Sequence, residues 1–220
     1  MKGSKLMAAM VKRQEQPAER REGARQRLLM RVAKLRCESG EYPCIMHDVS
    51  ETGTRLRLLH AHPPDTHMYL ELANGELFAL ERRWIDGDFA GFRFPGPIDV
   101  DELILEQSDG TRRPVRLRMG VPVDLVADGT RRSAQLVDLS RHGACVDLGE
   151  RLAVGSSVRL ELPGHAPRFA YVCWRRHCHH GLAFQEAFTL EALARLAVAL
   201  QPFGQDSLAP VDPVPHARSA

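Results

Sequence analysis

The chain has 220 residues, 44% hydrophobic and 26% charged, with a net charge of +2. That composition is ordinary for a globular protein, and the length allows one or two domains. No apolar run approaches the ~20 residues of a membrane span, and the apolar core after Met1-Lys2 is too short for a signal peptide. The five cysteines, Cys37, Cys44, Cys145, Cys173 and Cys178, are odd in number and scattered through strand-like segments. They read as reduced thiols rather than a disulfide frame, which fits a cytoplasmic chain.

The charge is uneven. Residues 1–36 carry eleven Lys and Arg against three Glu, a local +8, which leaves −6 for the remainder. A general nucleic-acid binder would coat its body with positive charge, so nucleic acid is not an expected partner. A membrane partner is not expected either. Residues 1–25 are polar and poor in β-branched side chains, and are expected to be a disordered basic arm.

Between the ends lies an internal repeat. At a shift of ninety positions, Asp48 falls on Asp138, Ser50 on Ser140, Gly53 on Gly143, Trp84 on Trp174, Gly91 on Gly181 and Phe94 on Phe184, without a gap. Leu70-Glu71-Leu72 likewise falls on Leu160-Glu161-Leu162. Upstream of the shared Asp, Arg27-Leu28-Leu29-Met30-Arg31 matches Arg112-Arg113-Pro114-Val115-Arg116 at a shift of eighty-five. This predicts a first hairpin five residues longer in the second copy, around the turn-forming Asp128-Gly129.

Each copy consists of short alternating segments split by turn residues, as in Val158-Arg159-Leu160-Glu161-Leu162 before Pro163-Gly164. The expectation is an all-β chain of two small antiparallel β-barrels in tandem, at 26–98 and 109–201. Residues 99–108 would form a linker or short helix. A helix should close the second unit, with Thr189 as its cap and Leu190, Leu193, Leu196, Ala197 and Leu200 on one face. The proline-rich 202–220 should be a disordered tail.

The chemistry concentrates between Arg112 and Gly143. Arg112, Arg113 and Arg116 offer guanidinium groups suited to phosphate oxygens and to stacking on flat bases. Asp138 and Ser140 offer a carboxylate and a hydroxyl on one face of an extended backbone, and Gly143 permits a turn. A ligand that is anionic, flat and rich in N–H donors fits, and a guanine nucleotide is one. His177-Cys178-His179-His180, with Cys173 nearby, lacks a second paired ligand set, and copy one offers only Asp88 there, so no metal is expected. Trp84 and Trp174 read as core or rim residues. With no Gly-rich phosphate loop, nucleophile elbow or paired catalytic carboxylates, no enzyme is indicated.

An Arg-x-x-x-Arg followed by Asp-x-Ser-x-x-Gly in a small β-barrel resembles the PilZ domain, as does a Trp followed by Gly-x-x-Phe. Arg112, Arg116, Asp138, Ser140 and Gly143 carry the likeness in copy two, and Arg27, Arg31, Asp48, Ser50 and Gly53 in copy one. The resemblance implies a bacterial, cytoplasmic, non-catalytic receptor for the second messenger cyclic di-GMP, needing no cofactor. It implies that the arginines fold over the ligand and that Asp and Ser take the guanine edge, so that ordering of the segment and domain rearrangement signal to a protein partner. The alternative is an interaction adaptor whose barrels bind no nucleotide. Leu28-Leu29-Met30 between the arginines of copy one favours that alternative there.

Overall fold

A computed structural model describes residues 26–105 and 114–201. The proposed arm at 1–25, the tail at 202–220 and the arginines Arg112 and Arg113 lie outside the described residues.

The first unit contains β1 (Gln26–Cys37), β2 (Gly40–Ser50), β3 (Gly53–Leu58), β4 (His67–Glu71), β5 (Leu77–Asp86) and β6 (Phe89–Arg93), followed by the short helix α1 (Val100–Leu105). The second contains β7 (Leu117–Ala127), β8 (Thr130–Leu139), β9 (Gly143–Asp147), β10 (Ser157–Glu161), β11 (Arg168–Arg176) and β12 (His179–Phe184), followed by α2 (Leu190–Leu200). Each set of six antiparallel strands closes into a barrel, in the order β1-β2-β3-β6-β5-β4 and, from the other side, β7-β8-β9-β12-β11-β10. Closure leaves no open sheet edge.

Alternation sets the two faces. In β10, Val158 and Leu160 are buried while Arg159 and Glu161 stay partly in water. The second core gathers Leu125, Leu136, Leu139 and Leu160, and α2 caps it with Leu193, Leu196 and Ala197. The first gathers Leu35, Met46, Leu56 and Leu70, capped by Leu103 of α1. Both helices start on a side-chain cap: Thr189 Oγ1 accepts from Ala192 N, and Asp99 Oδ1 from Asp101 N.

The shift of ninety holds from Arg31 onward, including the first hairpin; upstream of it the bulge in β1 is one residue longer than that in β7, so Arg27 and Arg118 are the residues opposite Asp48 and Asp138. Cys37 faces Gly40 across one two-residue turn, and Ala127 faces Thr130 across the other. This corrects the longer second hairpin expected from the sequence. Val32 faces Ile45, and its counterpart Pro122 faces Gln135, so Arg31 occupies the place of Val121 rather than that of Arg116. The match at eighty-five aligned an Arg pair lying inside β1 with one lying ahead of β7.

The barrels meet along the first hairpin. Tyr42 of β2 is fully buried and belongs to the second barrel's core, with its hydroxyl 2.7 Å from Ser39 O and 2.9 Å from Gln201 O. Burial pushes that phenol up to about 12, so it stays protonated and able to donate. Lys34, 5% exposed, lies 2.9 Å from Glu41 Oε2 and 3.0 Å from Glu71 Oε1. The same ammonium donates to Arg116 O at 3.0 Å, and Glu41 Oε2 accepts from Arg118 N at 2.8 Å. The first barrel therefore holds the backbone on which the second barrel's Arg116 is mounted.

Candidate ligand-binding site

Arg116 immediately precedes β7, and Asp138 is the penultimate residue of β8. A bulge between Leu136 and Asp138 in the pairing with β9 precedes the carboxylate. Arg116 Nη1 donates to Asp138 Oδ1 at 2.8 Å, with the guanidinium side chain 47% exposed and the carboxylate 23%. Arg118 pairs directly opposite Asp138 across β7 and β8, and its exposed side chain has Nε 4.0 Å from Glu41 Oε1 of the first barrel. Sequence reading missed it because it lies outside the Arg-x-x-x-Arg spacing. The result is a carboxylate paired with a solvent-reachable guanidinium, suited to a ligand that carries both donors and negative charge.

Ser140 is only 1% exposed, and its hydroxyl donates to Gly143 O at 3.0 Å while its backbone N–H donates to the same carbonyl at 2.8 Å. The Ser thus locks the turn that follows Asp138. Gly143 is required by close approach: a Cβ there would run into the Leu182 carbonyl of β12. The two residues set the position of the acid. Trp174 pairs with Gly181 across β11 and β12, and a Cβ on Gly181 would strike its indole.

Cys145 faces Asp138 from β9. Burial, with the Asp138 carboxylate adding to it, pushes its thiol up to about 11, so the mouth contains a neutral side chain there.

The same place in the first barrel is built differently. Asp48 is 8% exposed, and Arg55, the counterpart of Cys145, lies directly across from it with Nη2 2.7 Å from Asp48 Oδ2. The Arg55 guanidinium also sits 5.0 Å from the Phe89 ring centroid and 2.9 Å from His47 Nδ1. Arg31 lies within β1, and its Nη1 donates to Leu103 O of α1 at 3.1 Å. The backbone of Arg27 pairs with Asp48. Ser50 reproduces the turn lock, donating to Gly53 O at 3.2 Å, and Gly53 lies against the Phe92 carbonyl. Arg55 was legible as a difference beside an otherwise matching motif, a signal that a search for identities passes over.

Among the described residues no helix is long and apolar enough to cross a membrane.

No curated protein matches the chain. Among solved structures, it is similar to the Borreliella burgdorferi PlzA protein in complex with c-di-GMP, at 11% identity and a TM-score of 0.33, covering 80% of this chain and 94% of that one. It is similar to Escherichia coli YcgR in complex with c-di-GMP at 15% identity and a TM-score of 0.29, covering 77% and 83%. It is also similar to K. pneumonia MrkH in its apo state at 10% identity and a TM-score of 0.32, covering 77% and 86%. Residues 110–198, which span the whole second barrel and most of α2, match the family model of the PilZ domain. The chain therefore carries a PilZ domain, formed by its second barrel.

Proposed function

We propose that this chain is a non-catalytic receptor for cyclic di-GMP and that the second barrel is the part that reads it. Asp138 takes the adjacent N1–H and N2–H donors of guanine, a pair that adenine lacks. Arg112, Arg113 and Arg116, on the segment entering β7, bind phosphate oxygens and stack on the base. Ser140 and Gly143 hold the acid in place. The observation that carries this reading is the 2.8 Å approach of Arg116 to Asp138, which brings the two halves of the motif to one mouth in the barrel that matches the PilZ family. The PlzA and YcgR structures, described as complexes with c-di-GMP, are consistent with it.

The first barrel does not share this role in our reading. Arg55 already satisfies the Asp48 carboxylate, and Arg31 occupies the register position of Val121 rather than that of Arg116. Arg27, Arg31, Asp48, Ser50 and Gly53 then serve the barrel itself, as the adaptor alternative has it for this half. Binding in the second barrel exchanges the Arg116–Asp138 ion pair for contacts to the ligand. Because Lys34 and Glu41 grip the backbone at Arg116 and Arg118, that exchange is passed to the first barrel and on to a protein partner.

Calorimetry with cyclic di-GMP tests the reading. Saturable heat for the wild-type chain and its loss in Asp138→Ala are expected. Absence of heat in the wild type would leave the adaptor reading standing.

A further inference from the structure

The far end of β9 from Gly143 contains a second cluster. His179 of β12 lies directly across from Asp147 of β9, with His179 Nε2 3.7 Å from Asp147 Oδ2. Cys178, in the turn joining β11 to β12, completes a group in which one donor atom from each of Asp147, Cys178 and His179 lies within 4.8 Å of the others. The turn is held from behind: Cys178 O accepts from Leu148 N at 2.9 Å, and the fully buried His180 ring lies 2.9 Å from the same carbonyl.

The sequence run His177–His180 lacked a further ligand because that ligand comes from another strand. The other barrel supplies an independent comparison. At the equivalent corner Asp147 is replaced by Arg57 and Cys178 by Asp88, and the two form an ion pair at 3.5 Å. There, a guanidinium supplies the positive charge. In the second barrel, all three groups are donors, and among the described residues no Lys or Arg pairs with Asp147.

We infer that Asp147, Cys178 and His179 form a binding site for a zinc-type divalent cation on the second barrel. Thiolate, imidazole and carboxylate together suit a borderline-soft ion such as Zn²⁺ rather than Mg²⁺ or Ca²⁺. Ligands about 2.0–2.3 Å from a tetrahedral ion stand about 3.4 Å from one another. The His179–Asp147 separation of 3.7 Å is already close to that figure, and exposed side chains on a hairpin can make the rest of the adjustment. Three protein ligands leave a fourth position for water or for a donor from another molecule. The bound ion clips β9 to the β11–β12 turn, two residues along β9 from Cys145 at the ligand mouth.

Titration of the full chain under reducing conditions with Zn²⁺, and with Co²⁺ as a spectroscopic stand-in, tests the site. One equivalent should bind, with a thiolate-to-cobalt absorption band that disappears in Cys178→Ser and persists in Cys173→Ser. His179→Ala and Asp147→Asn should each weaken Zn²⁺ binding by about tenfold or more. Asp147→Arg combined with Cys178→Asp, which installs the first barrel's ion pair, should abolish binding while preserving the circular dichroism of the fold. Lack of saturable one-to-one binding in the wild type would overturn the site, as would unchanged affinity in Cys178→Ser and His179→Ala.

Discussion

Arg55 lies 2.7 Å from Asp48 in the first barrel, and the residue that takes its place beside Asp138 in the second is Cys145. One side chain thus separates a buried carboxylate held by an arginine on the neighbouring strand from a more open one held by Arg116 ahead of β7. The contrast makes a direct test possible. Cys145→Arg should reproduce the Asp48–Arg55 pair within the second barrel and weaken cyclic di-GMP binding by about a hundredfold, the equivalent of two charge-assisted hydrogen bonds at about 1.5 kcal/mol each. Calorimetry on a variant with an unchanged thermal transition would check this, and wild-type affinity would remove Asp138 from the site.

Removing the cation instead of blocking the acid should have a similar sign. Arg116→Ala is expected to weaken binding by about 2 kcal/mol or more through loss of a charged contact. The double variant Arg27→Ala with Arg31→Ala should bind like the wild type, since those arginines belong to β1 and not to the entry segment of the PilZ barrel. A comparable loss in that double variant would restore a ligand role to the first barrel.

Lys34 is the only cation within 3 Å of both Glu41 and Glu71 among the described residues, and all three are largely shielded from water. Lys34→Ala should leave Glu41 and Glu71 to Arg36, 3.4 Å from each, and destabilise the chain by about 2 kcal/mol or more. Urea denaturation followed by circular dichroism measures it. A loss below about 1 kcal/mol, the scale of an exposed pair, would show that water reaches this joint.

Gly143→Ala and Gly181→Ala should both destabilise by about 1–3 kcal/mol, because a methyl group meets the Leu182 carbonyl at the first and the Trp174 indole at the second. They differ in a second readout. Gly181→Ala displaces the Trp174 indole and should shift tryptophan emission, whereas Gly143→Ala presses on the Leu182 carbonyl and should not.

His60 packs at a tilt against Tyr42 with ring centroids 5.2 Å apart, and burial holds its pKa below the usual 6.5. The folded chain therefore takes up this proton less readily than the unfolded chain. The stability contributed by the neutral ring is present above about pH 6.5 and is lost as pH falls below it. His60→Asn should flatten that part of the profile relative to wild type, as measured by thermal midpoints between pH 7.5 and about 5.5. Parallel profiles for the two proteins would exclude His60 as the source.

Much of the fold could be read from residues alone because the repeat kept its spacing. Asp48 and Asp138, Gly53 and Gly143, and Trp84 and Trp174 mark equivalent bulges, close approaches and packing, so identity at one shift reflected identity of backbone. The sequence allows 99–108 to be a linker or short helix, and α1 occupies Val100–Leu105. The first strand was misaligned because arginines are frequent near the start of the chain, and a pair of them matched by composition where register did not. Arg118 and Asp147 stayed hidden for another reason. Each acts across a strand pair, and which residues face each other is set by bulges and hairpin lengths that no single segment reveals.

Tyr42 has a consequence for how this molecule can be divided. Its ring is contributed by one half of the duplication and fills the interior of the other, with its hydroxyl on the carbonyl that ends α2. Cutting the chain between the halves would leave the second half with a hole the size of a phenol and the first with a bare aromatic projecting into water. Each half closes its own ring of strands, yet the interior of the second is finished by a side chain that the first supplies.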